Sequence, residues 1–120
     1  SMRASLDVLA DLPDIRRRIA VLGDMLELGA ASAALHRTVG AYAAEKNIQV
    51  LITVGLESSH IGERFRDICP GASVYPCDST EEAGRILRRI VQKGDGILIK
   101  GSHAMHMDEI VKVLKEEFLA

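Results

Sequence analysis

Aromatic residues are scarce in this 120-residue chain, which has two tyrosines, two phenylalanines and no tryptophan. We therefore expect a core built from aliphatic side chains rather than from packed rings. Hydrophobic residues make up 48% of the sequence and charged residues 27%, which is typical of a folded globular protein rather than a disordered one. The length fits one domain, residues 1–120.

Cysteine, net charge and long apolar runs are also limited. The two cysteines, Cys69 and Cys77, match neither a CxxC redox pair nor a zinc knuckle, so we interpret both as reduced thiols of a cytosolic protein. A formal net charge of -2 gives no general attraction to nucleic acid or to an anionic membrane. No apolar run reaches the roughly 18 residues that a membrane-spanning helix needs. The sequence predicts no nucleic-acid partner and no membrane association.

Motifs for nucleotide and metal binding are missing as well. The sequence contains neither a Gly-x-x-x-x-Gly-Lys-Ser/Thr phosphate loop nor a Gly-x-Gly-x-x-Gly pattern, so by itself it is not expected to cradle a nucleoside triphosphate. Its four histidines have no carboxylate or thiol at metal-ligand spacing, and we predict no metal site. No order of serine, cysteine, histidine and aspartate indicates a nucleophile, so no catalytic residue is assigned. If the chain takes part in a reaction, we expect it to be part of a larger enzyme.

The sequence does contain three short apolar segments that end in glycine and a fourth, weaker one. They are Arg18–Gly23, Val50–Gly55, Gly96–Gly101 and the residues around Val74. Runs that are apolar on both faces predict strands covered on both sides, as in a parallel sheet. Helical periodicity separates the strands, and a further helix is predicted from Ser1 to about Leu12, ahead of Pro13. This order predicts an α/β fold with a doubly wound, mostly parallel, Rossmann-like sheet and helices on both faces. Because the chain begins within a helix, we expect a first strand to be missing.

Polar side chains follow three of these strands. In an open parallel sheet, ligands bind beyond the carboxyl ends of the strands. The residues that the predicted topology places along this edge are Asp24, Glu57, Ser58, Lys100, Ser102 and His103. For two of these residues the alternative to ligand binding is a structural role: Asp24 as the cap of a turn and Ser58 as the N-cap of a helix. Lys100 ends an apolar strand, so its ammonium must either extend into solvent or bind an anion.

Three segments, in order, resemble the C-terminal domain of the Mur ligases. They are "SMRASLDVLADL" (residues 1–12), "LGDMLELG" with "ALHRTVG" (residues 22–29 and 34–40), and "ILIKGSHAMHMDEIVKVL" (residues 97–114). The resemblance covers essentially the whole chain. It implies that a first strand, a UDP-binding domain and a central ATP-binding domain precede this one in a three-domain enzyme. The missing phosphate loop is then expected, because that loop belongs to the central domain.

The resemblance is greatest to the members of the family that join D-alanyl-D-alanine to a UDP-N-acetylmuramoyl-tripeptide in peptidoglycan synthesis. It implies an amide ligase of the bacterial cytoplasm that uses ATP and Mg²⁺, both bound mainly by the central domain. The C-terminal domain is expected to close over the ATP and dipeptide site, which keeps water from the acyl phosphate. The isolated domain is expected to be inactive.

Family positions map onto particular residues of this chain. The Gly-Asp-Met turn of the family falls on Asp24 and Met25, and its Lys-Gly-Ser turn falls on Lys100, Gly101 and Ser102. The resemblance implies that these residues face the substrate or nucleotide cleft.

Two histidine features accompany these turns. The resemblance implies that His36, in the helix after the first turn, supports that turn rather than taking part in chemistry. His103, which we also place in the cleft, and His106 stand where the family is often basic, commonly with arginine after Lys-Gly-Ser. A neutral imidazole binds an anion more weakly than a guanidinium does.

A receiver-like signalling module, or another non-catalytic α/β ligand-binding module, is the alternative interpretation. Asp24 after the first strand and Lys100 after the last suit a receiver. A receiver also needs a phospho-accepting aspartate at the end of a central strand, where this chain has Gly55 and Glu57. The sequence therefore favours the ligase domain.

Overall fold

Four parallel strands form the sheet of the computed structural model, which describes residues 1–118 and the side chains of residues 1–115. The strands are β1 (Arg17–Gly23), β2 (Val50–Val54), β3 (Ser73–Cys77) and β4 (Asp95–Lys100), in the spatial order β3-β2-β1-β4. The helices are α1 (Met2–Asp11), α2 (Ser32–Ala44), α3 (Ser59–Ile68), α4 (Thr80–Ile90) and α5 (Asp108–Phe118). Short 3-10 turns occupy Gly29–Ala31 and His103–Met105.

The helices cover both faces of the sheet, which confirms the predicted doubly wound α/β fold. Successive side chains of a strand point to opposite faces. Ala20 and Leu22 of β1 lie in one apolar cluster with side chains of α1, α2 and α3, whereas Ile19 and Val21 lie in a second cluster with side chains of α4 and α5. Since residues 19–23 of β1 are buried on both faces, this part of the strand is a continuous apolar run without alternation.

The predicted strands and first helix agree with the structure to within one or two residues. The weak segment around Val74 is confirmed as β3, and α1 ends shortly before Pro13. Gly55 and Gly101, which the apolar runs included, lie just beyond the ends of β2 and β4. The strand predicted ahead of the first helix stays a prediction; within residues 1–118, β4 is an edge strand that pairs with β1 alone.

Helix α4 begins at a capped position, and the spacing of Ser79 and Glu82 is that of a capping box. The Ser79 hydroxyl oxygen accepts a hydrogen bond from the Glu82 N–H at 3.1 Å, which satisfies one of the free donors of the first turn. The Glu82 carboxylate accepts from the Asp78 N–H at 3.5 Å rather than from Ser79. In a complete capping box the glutamate carboxylate accepts from the N–H of the N-cap residue itself, so here the second hydrogen bond is made one residue earlier in the chain.

The part of the chain that the structure describes contains no helix with the length and apolar character needed to cross a bilayer.

A polar cluster on the surface joins α1 to α2. The Tyr42 hydroxyl donates to Asp7 Oδ1 at 2.5 Å, and Lys46 Nζ lies 3.0 Å from the same oxygen. Lys46 Nζ and the Arg3 guanidinium also lie over the Tyr42 ring, at 4.6 and 5.2 Å from its centroid. The hydrogen bond from Tyr42, followed by that from Lys46, lowers the pKa of the Asp7 carboxyl. The ionised carboxylate is therefore the form that holds α1 against α2.

Replacing Asp7 with asparagine is expected to weaken the acid dependence of stability. A carboxyl whose pKa is lowered by folding stabilises the folded state above its unfolded pKa of about 3.9 and loses that contribution as pH falls through the folded pKa. The gap in Tm between the wild type and Asp7→Asn should therefore be present near neutral pH and shrink below about pH 4. Thermal unfolding followed by circular dichroism across this range measures the gap, with Asp11→Asn, an exposed carboxylate of the same helix, as control. A gap that is constant with pH would contradict the assignment.

Candidate functional site

The loops after β1 and β4 meet at the carboxyl edge of the sheet. Leu22 is paired with Lys100 in the parallel register, so the two strands end side by side. A Cβ added to Gly23 would lie 3.4 Å from the Gly101 Cα and 2.5 Å from the Met107 sulfur. Glycine at both positions lets the two turns approach each other beneath a buried thioether. The predicted Gly-Asp-Met and Lys-Gly-Ser turns are thus neighbours.

Asp24 connects the first of these turns to the loop after β2. Its Oδ1 accepts a hydrogen bond from the Ser58 N–H at 2.7 Å, at the start of α3. A carboxylate at this position offsets the partial positive charge of the helix N-terminus. Gly55 passes directly beneath the carboxylate, with φ of 108°. Of the two interpretations that the sequence left open for Asp24, the structure shows a capping contact, made to the next loop rather than to its own turn.

Ser58 is held inside the protein rather than presented to a ligand. Its side chain is buried, and its hydroxyl donates to the Val54 carbonyl at 2.7 Å. It does not cap α3 with its own side chain either, because that hydroxyl points back towards the end of β2. Glu57, the other candidate from this loop, makes no side-chain hydrogen bond or ion pair within the described part of the chain. The loop after β2 therefore contributes a backbone donor to Asp24.

His36 lies behind the Gly-Asp-Met turn and is fully buried. Its Nε2 accepts a hydrogen bond from the Met25 N–H at 3.0 Å, and its Nδ1 lies 2.7 Å from the Ser32 carbonyl oxygen. Both contacts are satisfied together by a neutral imidazole that carries its proton on Nδ1. The Met25 side chain packs against the apolar cluster that α1, α2 and α3 share. This geometry places His36 and Met25 as anchors of the turn, with the Met25 side chain directed towards the core.

The Lys-Gly-Ser turn borders a cavity of about 360 Å³ next to the start of α5. Its polar lining comes from Lys100, Ser102, His103 and Asp108, and its apolar lining includes Ile99, Met107 and Val111. The Ser102 hydroxyl is buried, yet no partner for it occurs among the described residues. The Lys100 ammonium likewise has no hydrogen bond or ion pair with any described residue. A buried hydroxyl and a cation without protein partners are groups that a bound anion would satisfy.

A larger cavity of about 770 Å³ lies beside β4, towards its amino end. Its lining is mostly apolar and includes Ile97, Ile99, Val111 and Leu114. None of the residues predicted from the sequence to face a ligand lines it. The smaller cavity at the Lys-Gly-Ser turn is therefore the stronger candidate, because specific ligand sites need converging polar groups as well as volume.

The two cysteines and the histidines add no reactive or metal-binding centre to this edge. Cys69 and Cys77 are both free. Burial, followed by the nearby Glu82 carboxylate, raises the pKa of the Cys77 thiol to about 11, so this thiol stays protonated at neutral pH. Across residues 1–118, no three histidine, cysteine, aspartate or glutamate side chains are close enough to share a metal ion.

Sequence reasoning missed Met105 and Thr80. The Met105 sulfur accepts a hydrogen bond from the Asp24 N–H at 3.2 Å, and its carbonyl oxygen accepts one from the Thr80 hydroxyl at 2.7 Å. Thr80 is the first residue of α4, a position at which a threonine carries no signal of a contact with a distant loop. Met105 falls within the segment that resembles the family, but nothing in the spacing marks a thioether as a hydrogen-bond acceptor.

Comparison with known proteins identifies the family of this chain. The family described as "Mur ligase, glutamate ligase domain" matches residues 1–103. The UDP-N-acetylmuramoyl-tripeptide--D-alanyl-D-alanine ligase of Escherichia coli K12 is 37% identical over 117 residues, which are 97% of this chain and 24% of the relative. The protein of that name from Bacillus subtilis strain 168 is 31% identical over 100% of this chain and 26% of the relative. The chain thus spans about a quarter of the length of the curated relatives it matches.

Solved structures share the fold. A crystal structure of MurF from Acinetobacter baumannii superposes with a TM-score of 0.82 at 28% identity, covering 98% of this chain and 26% of that one. The MurF ligase from Thermotoga maritima in complex with ADP superposes with a TM-score of 0.72 at 22% identity, covering 97% and 25%. The match over residues 1–103 shows that the chain belongs to the Mur ligase family.

Proposed function

We propose that this chain is the C-terminal domain of a bacterial, cytoplasmic ligase that adds D-alanyl-D-alanine to UDP-N-acetylmuramoyl-tripeptide with hydrolysis of ATP. The observation that carries the proposal is the cavity at the Lys-Gly-Ser turn, where Lys100 and the buried Ser102 hydroxyl lack partners within the described residues. The relatives from Escherichia coli and Bacillus subtilis are named as ligases of this kind. The family match favours this function over a receiver-like module.

The charges around the cavity suit the incoming dipeptide. D-Alanyl-D-alanine has a carboxylate at one end, an amine at the other and two methyl side chains. Lys100 and Ser102 supply a cation and a hydroxyl for the carboxylate, and Asp108 supplies a carboxylate for the amine. The aliphatic side chains of Ile99 and Val111 line the same cavity and offer apolar contact to the methyl groups.

The role of the domain in the proposed reaction is to hold the dipeptide and exclude water. The terminal carboxylate of the UDP-linked tripeptide receives the γ-phosphoryl group of ATP, and ADP is the leaving group. The neutral amine of the dipeptide then attacks the acyl phosphate, forming the amide and releasing phosphate and a proton. Fixing the amine close to the acyl carbon converts this step into an intramolecular one. Closure of the domain protects the acyl phosphate from hydrolysis.

Mg²⁺ would offset the phosphate charge during this transfer. Across the described residues, no three histidine, cysteine, aspartate or glutamate side chains lie close enough to share a metal ion, and Mg²⁺ is usually held by one or two carboxylates together with the phosphates of the nucleotide. We propose that the central domain, which supplies most of the ATP site, also holds the metal ion. The isolated C-terminal domain is then inactive.

Replacing Lys100 with alanine in the full-length ligase tests the proposal. A charged hydrogen bond to a carboxylate contributes about 1.5–3 kcal/mol, so kcat/KM for D-alanyl-D-alanine should fall about 10- to 100-fold. The KM for ATP should change little, since the lysine is assigned to the dipeptide. Steady-state phosphate release, with each substrate varied in turn, measures both constants.

Lys112→Ala is the matched control for this experiment. Lys112 lies on α5 next to the cavity residue Val111, but its own side chain is exposed and does not line the cavity. Its replacement should leave kcat/KM unchanged. Wild-type turnover by Lys100→Ala would contradict the proposed role. A rise in the KM for ATP alone would show that Lys100 binds the nucleotide rather than the dipeptide.

A further inference from the structure

Met105 makes three hydrogen bonds, through its N–H, its carbonyl oxygen and its sulfur, and each joins it to a different segment of the chain. Its N–H donates to the Ser102 carbonyl at 3.0 Å, its carbonyl oxygen accepts from the Thr80 hydroxyl at 2.7 Å, and its sulfur accepts from the Asp24 N–H at 3.2 Å. We call Thr80, Met105 and these three hydrogen bonds the Met105 clamp. The clamp joins the start of α4 to both turns at the carboxyl edge of the sheet.

The two ends of the clamp are fixed independently of any ligand. Ser79 already caps α4 through its own hydroxyl, so the hydroxyl of Thr80 is not needed to cap its helix and bonds the loop after β4 instead. The Met105 side chain packs against the apolar cluster that faces α4 and α5. Its sulfur lies where a Cβ on Gly23 would come within 2.9 Å, so it is held tightly against the end of β1.

The ends of β1 and β4 are paired at Leu22 and Lys100, but beyond that pair the polar side chains of the two turns do not hold each other. Lys100 and the Ser102 hydroxyl have no side-chain partner within the described residues. Asp24 is fixed to the loop after β2 through Ser58. A displacement of Met105 would therefore move the Ser102 backbone relative to Asp24, and the polar lining of the cavity would shift with it.

We propose that Thr80 and Met105 are positioning residues that set the spacing between the Lys-Gly-Ser turn and the Gly-Asp-Met turn. Neither side chain needs to touch the dipeptide. They act through backbone groups, because the clamp bonds the carbonyl of Ser102 and the N–H of Asp24. The assignment of this spacing to dipeptide binding rests on the proposed function, whereas the coupling between Thr80 and Asp24 does not.

Thr80→Val and Thr80→Ser test the coupling directly in the 120-residue protein. Valine keeps the shape of threonine and removes the hydroxyl, while serine keeps the hydroxyl. Thr80→Val should speed hydrogen exchange of the Asp24 amide about three- to tenfold, since one neutral hydrogen bond is lost, and Thr80→Ser should restore the wild-type rate. The exchange rate of the Ser58 amide, which bonds the Asp24 carboxylate rather than Met105, serves as an internal reference. An Asp24 rate unchanged in Thr80→Val would overturn the inference.

Kinetics of the full-length ligase test the consequence for binding. Thr80→Val and Met105→Leu should each raise the KM for D-alanyl-D-alanine about three- to tenfold with little change in kcat, and Thr80→Ser should restore it. The double variant should be no worse than either single variant, because both changes break the same clamp. Met105→Leu also provides a second route if Thr80→Val folds poorly, since leucine and methionine have similar volumes.

The two proposals fail in different ways. If Lys100→Ala impairs the ligase and Thr80→Val does not, the cavity function stands and the positioning role is overturned. If Lys100→Ala has no effect while Thr80→Val speeds hydrogen exchange of the Asp24 amide, the proposed function of the cavity is wrong and the coupling between Thr80 and Asp24 is confirmed. Effects of Thr80→Val and Met105→Leu that simply add would also overturn the clamp as a unit.

Discussion

Replacing Gly55 with alanine is expected to destabilise the protein by about 3 kcal/mol. Two costs combine at this position. Gly55 has φ of 108°, which side-chain-bearing residues rarely adopt. A Cβ there would also lie 2.5 Å from Asp24 Oδ2, so the carboxylate must leave the Ser58 N–H that it caps. The expected drop in Tm is about 10 °C for a domain of this size.

Chemical denaturation of Gly55→Ala beside Gly71→Ala measures the effect. Gly71 has open space where a Cβ would lie and no positive φ, so its replacement should change stability by less than about 0.5 kcal/mol. Asp24→Ala separates the two costs at Gly55. In the Gly55→Ala background, removing the carboxylate should cost less than it does in the wild type, because the clash has already displaced it. If Asp24→Ala destabilises both backgrounds equally, the loss in Gly55→Ala comes from the backbone conformation alone and not from the clash with the carboxylate.

Replacing Arg17 with methionine should cost about 3 kcal/mol by leaving a buried carboxylate unpaired. Arg17 Nε and Nη2 donate to the two Asp95 oxygens at 2.9 and 2.7 Å, and Nη2 also donates to the Ile90 carbonyl. The Asp95 side chain is only 2% exposed, whereas that of Arg17 is 25% exposed. Water reaches the arginine, so we place the cost at the lower end of the range for buried pairs. The Gln92 N–H is the one further donor to the carboxylate among the described residues.

The adjacent arginines supply graded controls for this prediction. Arg16 is exposed and lays its aliphatic stem over Gly94, which methionine preserves, so Arg16→Met should be close to neutral. Arg18 donates to the carbonyls of Leu9, Ala10 and Leu12 at the end of α1, and Arg18→Met should cost about 1–2 kcal/mol. The expected order of destabilisation is Arg17, Arg18 and then Arg16. Equal losses at all three positions in urea titrations would refute a specific role for the pair with Asp95.

The strands and helices could be predicted because their signals are local. A strand covered on both faces is mostly apolar, as residues 19–23 of β1 and most of β2 are, and a helix that packs on a sheet has a periodic apolar face. The strand ends shifted by only one residue, at Gly55 and Gly101. The edge strand β3, exposed at Ser73 and Pro76, gave a weaker signal because less of it is buried.

The candidate site could be predicted only in part. Lys100 was visible because a charged residue at the end of an apolar strand is unusual, and the predicted parallel sheet placed it along the same edge as Asp24. Met105 was not visible, since its sulfur bonds an N–H that lies 81 residues away in the sequence. No local pattern reports such a contact.

By itself, the sequence determined the α/β fold, the edge of the sheet where the polar turns lie and the resemblance to the Mur ligases, because each follows from patterns within short segments. The tertiary structure alone decided which polar groups at that edge are already used. Asp24 and Ser58 satisfy each other across 34 residues of sequence, His36 is committed to the Met25 N–H, and the Ser102 hydroxyl is left without a described partner. Hydrogen-bond satisfaction depends on distances between loops that the chain brings together only on folding, so it decides which residues remain available to a ligand.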